Sequence, residues 1–421
     1  MANFFRVGLR SRSCAAALAA AAALAAVPPA PAAPLGFDQA LLLAEQRSAA
    51  LTARQASADG ARQARAAAGQ LPDPKLAVGV ENLPVSGPDR FSWNRESMTM
   101  RRIGVMQDVP NAAKRAAQRG TADARVERER AMLEAERLAV RREAALAWLG
   151  LHFAERKLAV FATLEQENRL LQDTLAARVA SGSVTAADAV MARQEALDLA
   201  DRRDELQAGV EQACAQLQRW TGEAPDPSAA ASDPPSLRPD PARLLDALDR
   251  HAELLAFDPM LAMARAELEE ATAMRRGDWG WELAYGNRAR AFGDLVSFQL
   301  TFELPVSRAT RQEPVIASRQ KEVERLQAER GDALRRVRAE VEAQVAELQR
   351  LERGQRRQHD VAVPLAQERA QVTLASYQSG RADLGAVLAA RKSAVEAQLR
   401  ALDLQGQVLA QQARLSYLIA E

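Results

Sequence analysis

The side chains best suited to ligating a metal or attacking a substrate are few: His152, His251, His359, Cys14 and Cys214. The histidines are far apart, and none stands in an H-x-x-x-H or H-E-x-x-H spacing that would bring two imidazoles to one helix face. Each is read as a helix-surface or interhelix residue. Met98 and Met100 lie two apart in a segment read as a strand, so they would face the same way, a geometry open to soft Cu(I) coordination or, more plainly, to contact with lipid or core. Phosphate-cradling loops, dinucleotide fingerprints and nucleophile elbows are missing from the sequence. Aspartate and glutamate abound, but on helices this charged a carboxylate pair is a solvated face and nominates no acid–base catalyst. Hence no catalytic residue, metal ligand or cofactor is assigned, and the chain is expected not to be an enzyme.

The N-terminus tells where the chain goes. Arg6, Arg10 and Arg12 precede an alanine- and leucine-rich run from Ala15 to Val27, followed by Ala30-Pro31-Ala32, which matches an A-x-A cleavage site. Residues 1–32 therefore read as a secretory signal peptide. Cys14 lies ahead of the apolar run, so a lipid anchor is disfavoured. Without it Cys214 is the only thiol, no intramolecular disulfide forms even in an oxidising compartment, and Cys214 is expected to act as a small buried hydrophobe. No other stretch approaches the roughly 18 apolar residues a membrane helix needs, so any insertion into a bilayer must use strands. The 56 basic residues balance 55 acidic ones, which leaves no basic excess to bind nucleic acid.

The rest of the sequence reads as two copies of one plan: repeat 1 over 33–221, a Pro-, Ala-, Ser- and Asp-rich linker over 222–240, and repeat 2 over 241–421. In repeat 1 a helix from about Leu35 to Ala68 precedes strand candidates at Lys75 to Glu81 and Ser97 to Val109. A helix of roughly 70 residues, about 105 Å long, follows to Ala180. Within it Phe161, Leu164, Asn168, Leu171 and Leu175 step by three and four, a coiled-coil seam with one polar position. Ser181-Gly182-Ser183 breaks it, and a return helix runs from Thr185 to Thr221. Repeat 2 is expected to hold a helix over 241–276, strands at Trp279 to Asn287 and Leu295 to Leu304, a long helix to Ser376 kinked at Pro364, a break at Ser379-Gly380 and a final helix. Leu388, Val395, Leu402 and Leu409 recur by seven on that last helix. At an offset of 198 positions Ser181-Gly182 matches Ser379-Gly380, Ala192-Arg193 matches Ala390-Arg391, and Leu217 matches Leu415, a register that reads as internal duplication.

The strands carry the functional signal. Val296, Phe298, Leu300, Phe302 and Leu304 alternate with Ser297, Gln299, Thr301 and Glu303, and Trp279, Trp281, Leu283 and Tyr285 alternate with Gly280, Glu282, Ala284 and Gly286. A barrel wall with lipid outside and water inside demands this pattern, and a half-buried sheet of a soluble protein shows it too. Trp279, Trp281, Val296, Phe298, Leu300 and Phe302 are the lipid-facing candidates. Four strands cannot close a barrel and an open edge cannot sit in lipid, so copies must be pooled. Eight strands would need a dimer and twelve a trimer; the strand physics leaves both open.

Together these features resemble the TolC-like outer-membrane efflux factors over essentially the whole mature chain. The closest motifs are Tyr377-Gln378-Ser379-Gly380-Arg381-Ala382-Asp383 running into Val387-Leu388-Ala389-Ala390-Arg391, a degenerate partner around Gly182, and Gln107-Asp108-Val109-Pro110. The segments Leu71-Pro72-Asp73-Pro74, Val80-Glu81-Asn82-Leu83-Pro84 and Glu96-Ser97-Met98-Thr99-Met100 resemble the heavy-metal branch of that family. The resemblance implies a mainly α fold: long coiled-coil helices form a periplasmic α-barrel, and four strands per chain enter a trimeric, twelve-stranded β-barrel in the outer membrane of a Gram-negative bacterium. It also implies a passive exit duct for an inner-membrane resistance-nodulation-division (RND) pump and a periplasmic adaptor, with heavy-metal cations as one substrate class. Substrate selection is expected upstream of such a duct.

Carried over residue by residue, the resemblance makes Val179, Ser181, Gly182, Ser183, Ser379, Gly380 and Arg381 adaptor-facing tips, and Tyr377 a gate candidate. Some members carry acidic residues six and nine positions after the second glycine, where this chain has Ala386 and Ala389. Asp383 and Asp188 are therefore the candidates for an acidic ring. The rival reading is a periplasmic adaptor or coiled-coil scaffold without a pore, which would lack the amphipathic strands.

Overall fold

The computed structural model describes residues 35–180, 185–222 and 233–420. The signal peptide, Ser181-Gly182-Ser183 and most of the linker lie outside the described residues.

Helices α1 (Phe37–Arg47) and α2 (Ala49–Ala67) lead to strands β1 (Lys75–Glu81) and β2 (Met100–Val109). Helices α3 (Ala112–Ala180) and α4 (Ala186–Thr221) follow, then a short α5 (Pro241–Asp246), a 3₁₀ turn (Leu248–Arg250) and α6 (Phe257–Ala273). Strands β3 (Trp279–Asn287) and β4 (Leu295–Phe302) precede α7 (Gln312–Arg357), a π-helical turn (Gln358–Ala362), α8 (Val363–Gln378) and α9 (Leu384–Ser416). The succession of helices, two strands, a long helix and a return helix occurs twice.

Several boundaries differ from the sequence reading, each for a local reason. The first helix is interrupted at Ser48, whose backbone is extended (φ −67°, ψ 113°) and whose hydroxyl accepts the Leu51 N–H at 3.2 Å as the cap of α2. The helix expected over 241–276 is three pieces. Its first is started by the Asp240 cap and Pro241, and it gives way at Ala247 to the 3₁₀ turn. Strand β2 begins at Met100, three residues late, because a turn occupies the residues before it, and β4 ends at Phe302, two residues ahead of Leu304. Pro364 directly follows the π-turn, which divides the long helix of the second repeat. Proline offers no N–H to the carbonyl of Asp360, and the wider turn removes the clash its ring would otherwise make there.

Helix α3 is the spine. It spans 69 residues, about 100 Å, and packs along its length against α2, α4, α6 and α9. Its largest core surrounds Trp148, 1 % exposed, whose indole N–H donates to the Leu35 carbonyl at 2.8 Å. Phe37 meets the indole edge-on at 5.4 Å and His152 stacks on it at 5.2 Å. Further along, Phe161 and Leu164 pack on Leu199 of α4 and Leu399 of α9. Asn168 is buried in the same seam, as the spacing predicts. Leu388, Val395, Leu402 and Leu409 flank the seam half-buried, while Leu384, Val387, Ala390 and Ala394 occupy its centre. The seven-residue stripe is therefore the shoulder of the buried face.

Trp148 ties α1, α3 and the residues before α1 in one contact set. Trp148→Ala is expected to cost about 3–5 kcal/mol, read as a fall in the unfolding midpoint of the purified protein.

Candidate functional site

The four strands form one antiparallel sheet in chain order, β1-β2-β3-β4. Register places Leu76 beside Val105, Leu283 and Phe298, and Val78 beside Ile103, Tyr285 and Val296. Trp281 lies beside Leu300, and Trp279 beside Val109 and Phe302, on that same face. The two alternations read separately from sequence thus coincide across the sheet. This apolar face is open: Val78 is 74 % exposed, Val296 71 % and Phe298 64 %. A contiguous patch of this kind marks a surface that meets lipid or another protein.

The opposite face is small or charged. Gly104, Gly280, Ala284 and Gly286 are buried on it. Arg102 bridges Glu81 and Glu282, the latter at 2.7 Å, and Lys75 pairs with Asp108 at 2.7 Å. The paired charges thus stand on the face opposite the exposed apolar side chains.

A polar knot joins sheet to helices, and it went unnoticed in the sequence. Asn111 caps α3, its side-chain oxygen accepting the Lys114 N–H at 2.9 Å. Its amide donates to the carbonyls of Ala273 and Arg276, and its backbone N–H to Asp278 Oδ1 at 2.9 Å. Lys114 Nζ donates to the other Asp278 oxygen at 2.9 Å. Burial pushes the Asp278 carboxyl up, but the hydrogen bonds from Asn111 and Lys114 outweigh it and hold the group below its ordinary range. A few residues away, a Cβ on Gly277 would stand 1.7 Å from the Glu303 carbonyl oxygen, so only glycine lets β3 and the end of β4 meet there. The available signal was Pro110-Asn111, a residue type that caps helices directly after a strand-ending proline.

At the far end of the helices lie the turns. Gly380 adopts φ +72°, its N–H donates to the Tyr377 carbonyl at 3.0 Å, and that of Arg381 donates to Ser376 at 2.8 Å. This pair of bonds is a Schellman ending, which needs a left-handed residue at the position glycine holds. Asp383 caps α9 by accepting the Ala386 N–H at 2.7 Å. Asp188 forms a capping box with Thr185 at the start of α4, accepting the Thr185 N–H at 3.0 Å. Both acids are thus helix caps at hairpin tips. Tyr377 is half-buried and packs with Leu171, Leu388, Ala192 and Leu384, which joins the two hairpins. Val179 is half-buried in the last turn of α3; its neighbours Ser181, Gly182 and Ser183 lie outside the described residues.

The remaining candidates are dispersed. His152 and His251 are buried in different cores, and burial lowers the pKa of each. His359 is exposed on the π-turn. Cys214 lies half-buried beside the Trp148 core, where burial pushes its thiol up. Met98 lies in the turn ahead of β2, whereas Met100 is in the strand against Gly286, so the two do not form the same-face pair read from the sequence. Among the described residues, no group of three His, Cys, Asp or Glu side chains is placed to hold a metal ion, and no helix is long and apolar enough to cross a membrane.

No family model matches the sequence, and no curated protein is similar to it by sequence. Solved structures share its fold: a mainly helical chain with a small four-stranded sheet, the architecture of outer-membrane channels. The transmembrane channel CusC is similar with a TM-score of 0.77 and 16% identity, over 91% of this chain and 92% of that one. The outer membrane protein VceC from Vibrio cholerae is similar with a TM-score of 0.70 and 19% identity, over 91% and 95%. The open state of the MtrE outer membrane channel of Neisseria gonorrhoeae is similar with a TM-score of 0.73 and 14% identity, over 91% and 88%. At these identities the likeness establishes the fold, and it agrees with the TolC-like resemblance drawn from the sequence motifs.

Two outcomes follow from this geometry. Phe298→Arg is expected to cost about 2–4 kcal/mol where the open apolar face meets lipid, seen as loss of the heat-resistant folded band, while Ser297→Arg on the opposite face is tolerated. Asn111→Ala is expected to lower stability by about 2 kcal/mol. For Asp278→Asn the penalty is full at neutral pH and fades as the pH falls through the depressed folded pKa, because the ionised form makes the bonds.

Proposed function

We propose that this chain is the exit duct of a tripartite efflux pump: a homotrimer whose pooled strands close a twelve-stranded barrel in the outer membrane of a Gram-negative bacterium. The observation that carries the reading is the sheet, with one face mostly apolar and open, paired charges on the other, and a free edge on each side. Three copies joined β4 to β1 would satisfy those edges and enclose the charged face as a pore. Residues 1–32 would export the chain as a signal peptide, and 33–221 and 241–421 would act as two copies of one unit about the 222–240 linker. The paired helices would extend the pore across the periplasm.

In this reading the tips at Val179, Ser181, Gly182, Ser183, Ser379, Gly380 and Arg381 meet a periplasmic adaptor, which couples the duct to an RND pump in the inner membrane. Tyr377, Asp188 and Asp383 sit where movement of the hairpins would widen or narrow the passage. The duct conducts passively and does no chemistry of its own. Heavy-metal cations are the substrate class that the motifs over 71–100 favour, with selection made upstream.

Subunit number is read by cross-linking. With Cys214 replaced by serine, cysteines at Leu76 on β1 and Val296 on β4 are expected to give a ladder in outer membranes that ends at trimer. A ladder ending at dimer would restore the eight-stranded alternative. Release of the protein by alkaline washing, with no conductance in planar bilayers, would leave the scaffold reading instead.

A further inference from the structure

The end of the sheet remote from the helices carries charge that the duct does not need. The β1–β2 loop (residues 82–99) and the β3–β4 loop (288–294) enclose a cavity of about 480 Å³. Its lining includes Arg101, Arg288, Arg290, Trp93, Asn94 and Asn287, and no acidic residue. Nearby arginines are matched: Arg102 by Glu81 and Glu282, and Arg95 by Asp89 at 3.7 Å. Arg101 and Arg290 have no such carboxylate among the described residues. The cavity is also built. Arg288 rivets the loops together by donating to the carbonyls of Ser97, Gly293 at 2.7 Å, and Phe292. The Trp93 ring holds the Arg101 guanidinium at 5.6 Å.

Position narrows the ligand. Arg101 and Asn287 are register partners one rung beyond Ile103 and Tyr285 on the apolar face. Trp93 and Phe292 are exposed beside them, as aromatic residues are at a membrane interface. Guanidinium forks match phosphate oxygens two at a time, and an acyl chain leaving that phosphate would lie on Ile103, Val105 and Leu283. β2 and β3 are the inner strands of the sheet, so edge-to-edge pooling of copies would leave this cavity open.

We infer that Arg101 and Arg290, presented by the loops that Arg288 holds together, bind the phosphomonoester headgroup of an outer-leaflet lipid. The inference rests on the proposed orientation, helices inward and loops outward. The test uses full-length protein in dodecyl maltoside with diphosphoryl lipid A as probe, read by native mass spectrometry. Arg101→Gln with Arg290→Gln is expected to weaken binding by more than about tenfold. The same lipid without its phosphates should bind the unaltered protein as weakly, and sodium phosphate alone should compete poorly. Arg101→Lys with Arg290→Lys should recover part of the affinity. Equal binding by the unaltered and glutamine proteins overturns the inference. So does sodium phosphate binding as tightly as the lipid, or no recovery in a lysine protein that still conducts. Conductance in phosphatidylcholine bilayers separates the two readings: a protein that conducts without preferring phosphorylated lipid loses only this site, whereas one that never conducts loses the duct.

Discussion

The unmet backbone hydrogen bonds along the outer edges of β1 and β4 govern this molecule. Among the described residues β1 pairs only with β2, and β4 only with β3. In water such edges are an aggregation hazard, and in hydrocarbon each unpaired N–H and C=O costs several kcal/mol. The sheet also has an apolar face that none of the described residues covers. A single chain cannot satisfy both demands, which is why the protein makes physical sense as part of a closed assembly. The short strands and the charges paired on the face opposite the apolar one are consistent with that end.

The helices answer a different demand. Helix α3 is too long for any compact core, and its stability comes from a series of separate clusters along it: the Trp148 set, the Phe161–Leu164 seam, and the small cluster of Ala192, Leu384 and Tyr377 near the turns. The clusters become smaller towards the tips, so the end that would have to move is the least tightly held. The π-turn ahead of Pro364 lies level with the Phe161 seam, where Gln358 donates to the Ala397 carbonyl. Between helices and sheet, the Asn111–Asp278–Lys114 knot anchors the strands to their scaffold and leaves movement to the far end.

Much of this was legible beforehand because it depends on local periodicity. β1 and β3 were read with the bounds they have, since a period of two bounded by Pro, Gly or Asn leaves little freedom. The 69-residue α3 was visible as an uninterrupted helical pattern, and Asn168 as the polar step of its seam. The failures have local causes that periodicity does not register. Ser48 breaks a run of good helix formers through its own cap, and the segment after Pro241 yields to turns held by backbone bonds. Met98 was assigned to a strand that a turn keeps from beginning until Met100.

By itself the sequence determined which residues alternate, where long helices run and reverse, and that few side chains could perform chemistry, because these follow from residue type and spacing along the chain. Only the tertiary structure decided which alternating faces coincide, since register between β2 and β3 joins residues about 180 positions apart. The same folding tied Asn111 to Asp278 and gathered three arginines between two loops. Those are contacts between distant segments, set by packing of whole elements rather than by any pattern within one of them.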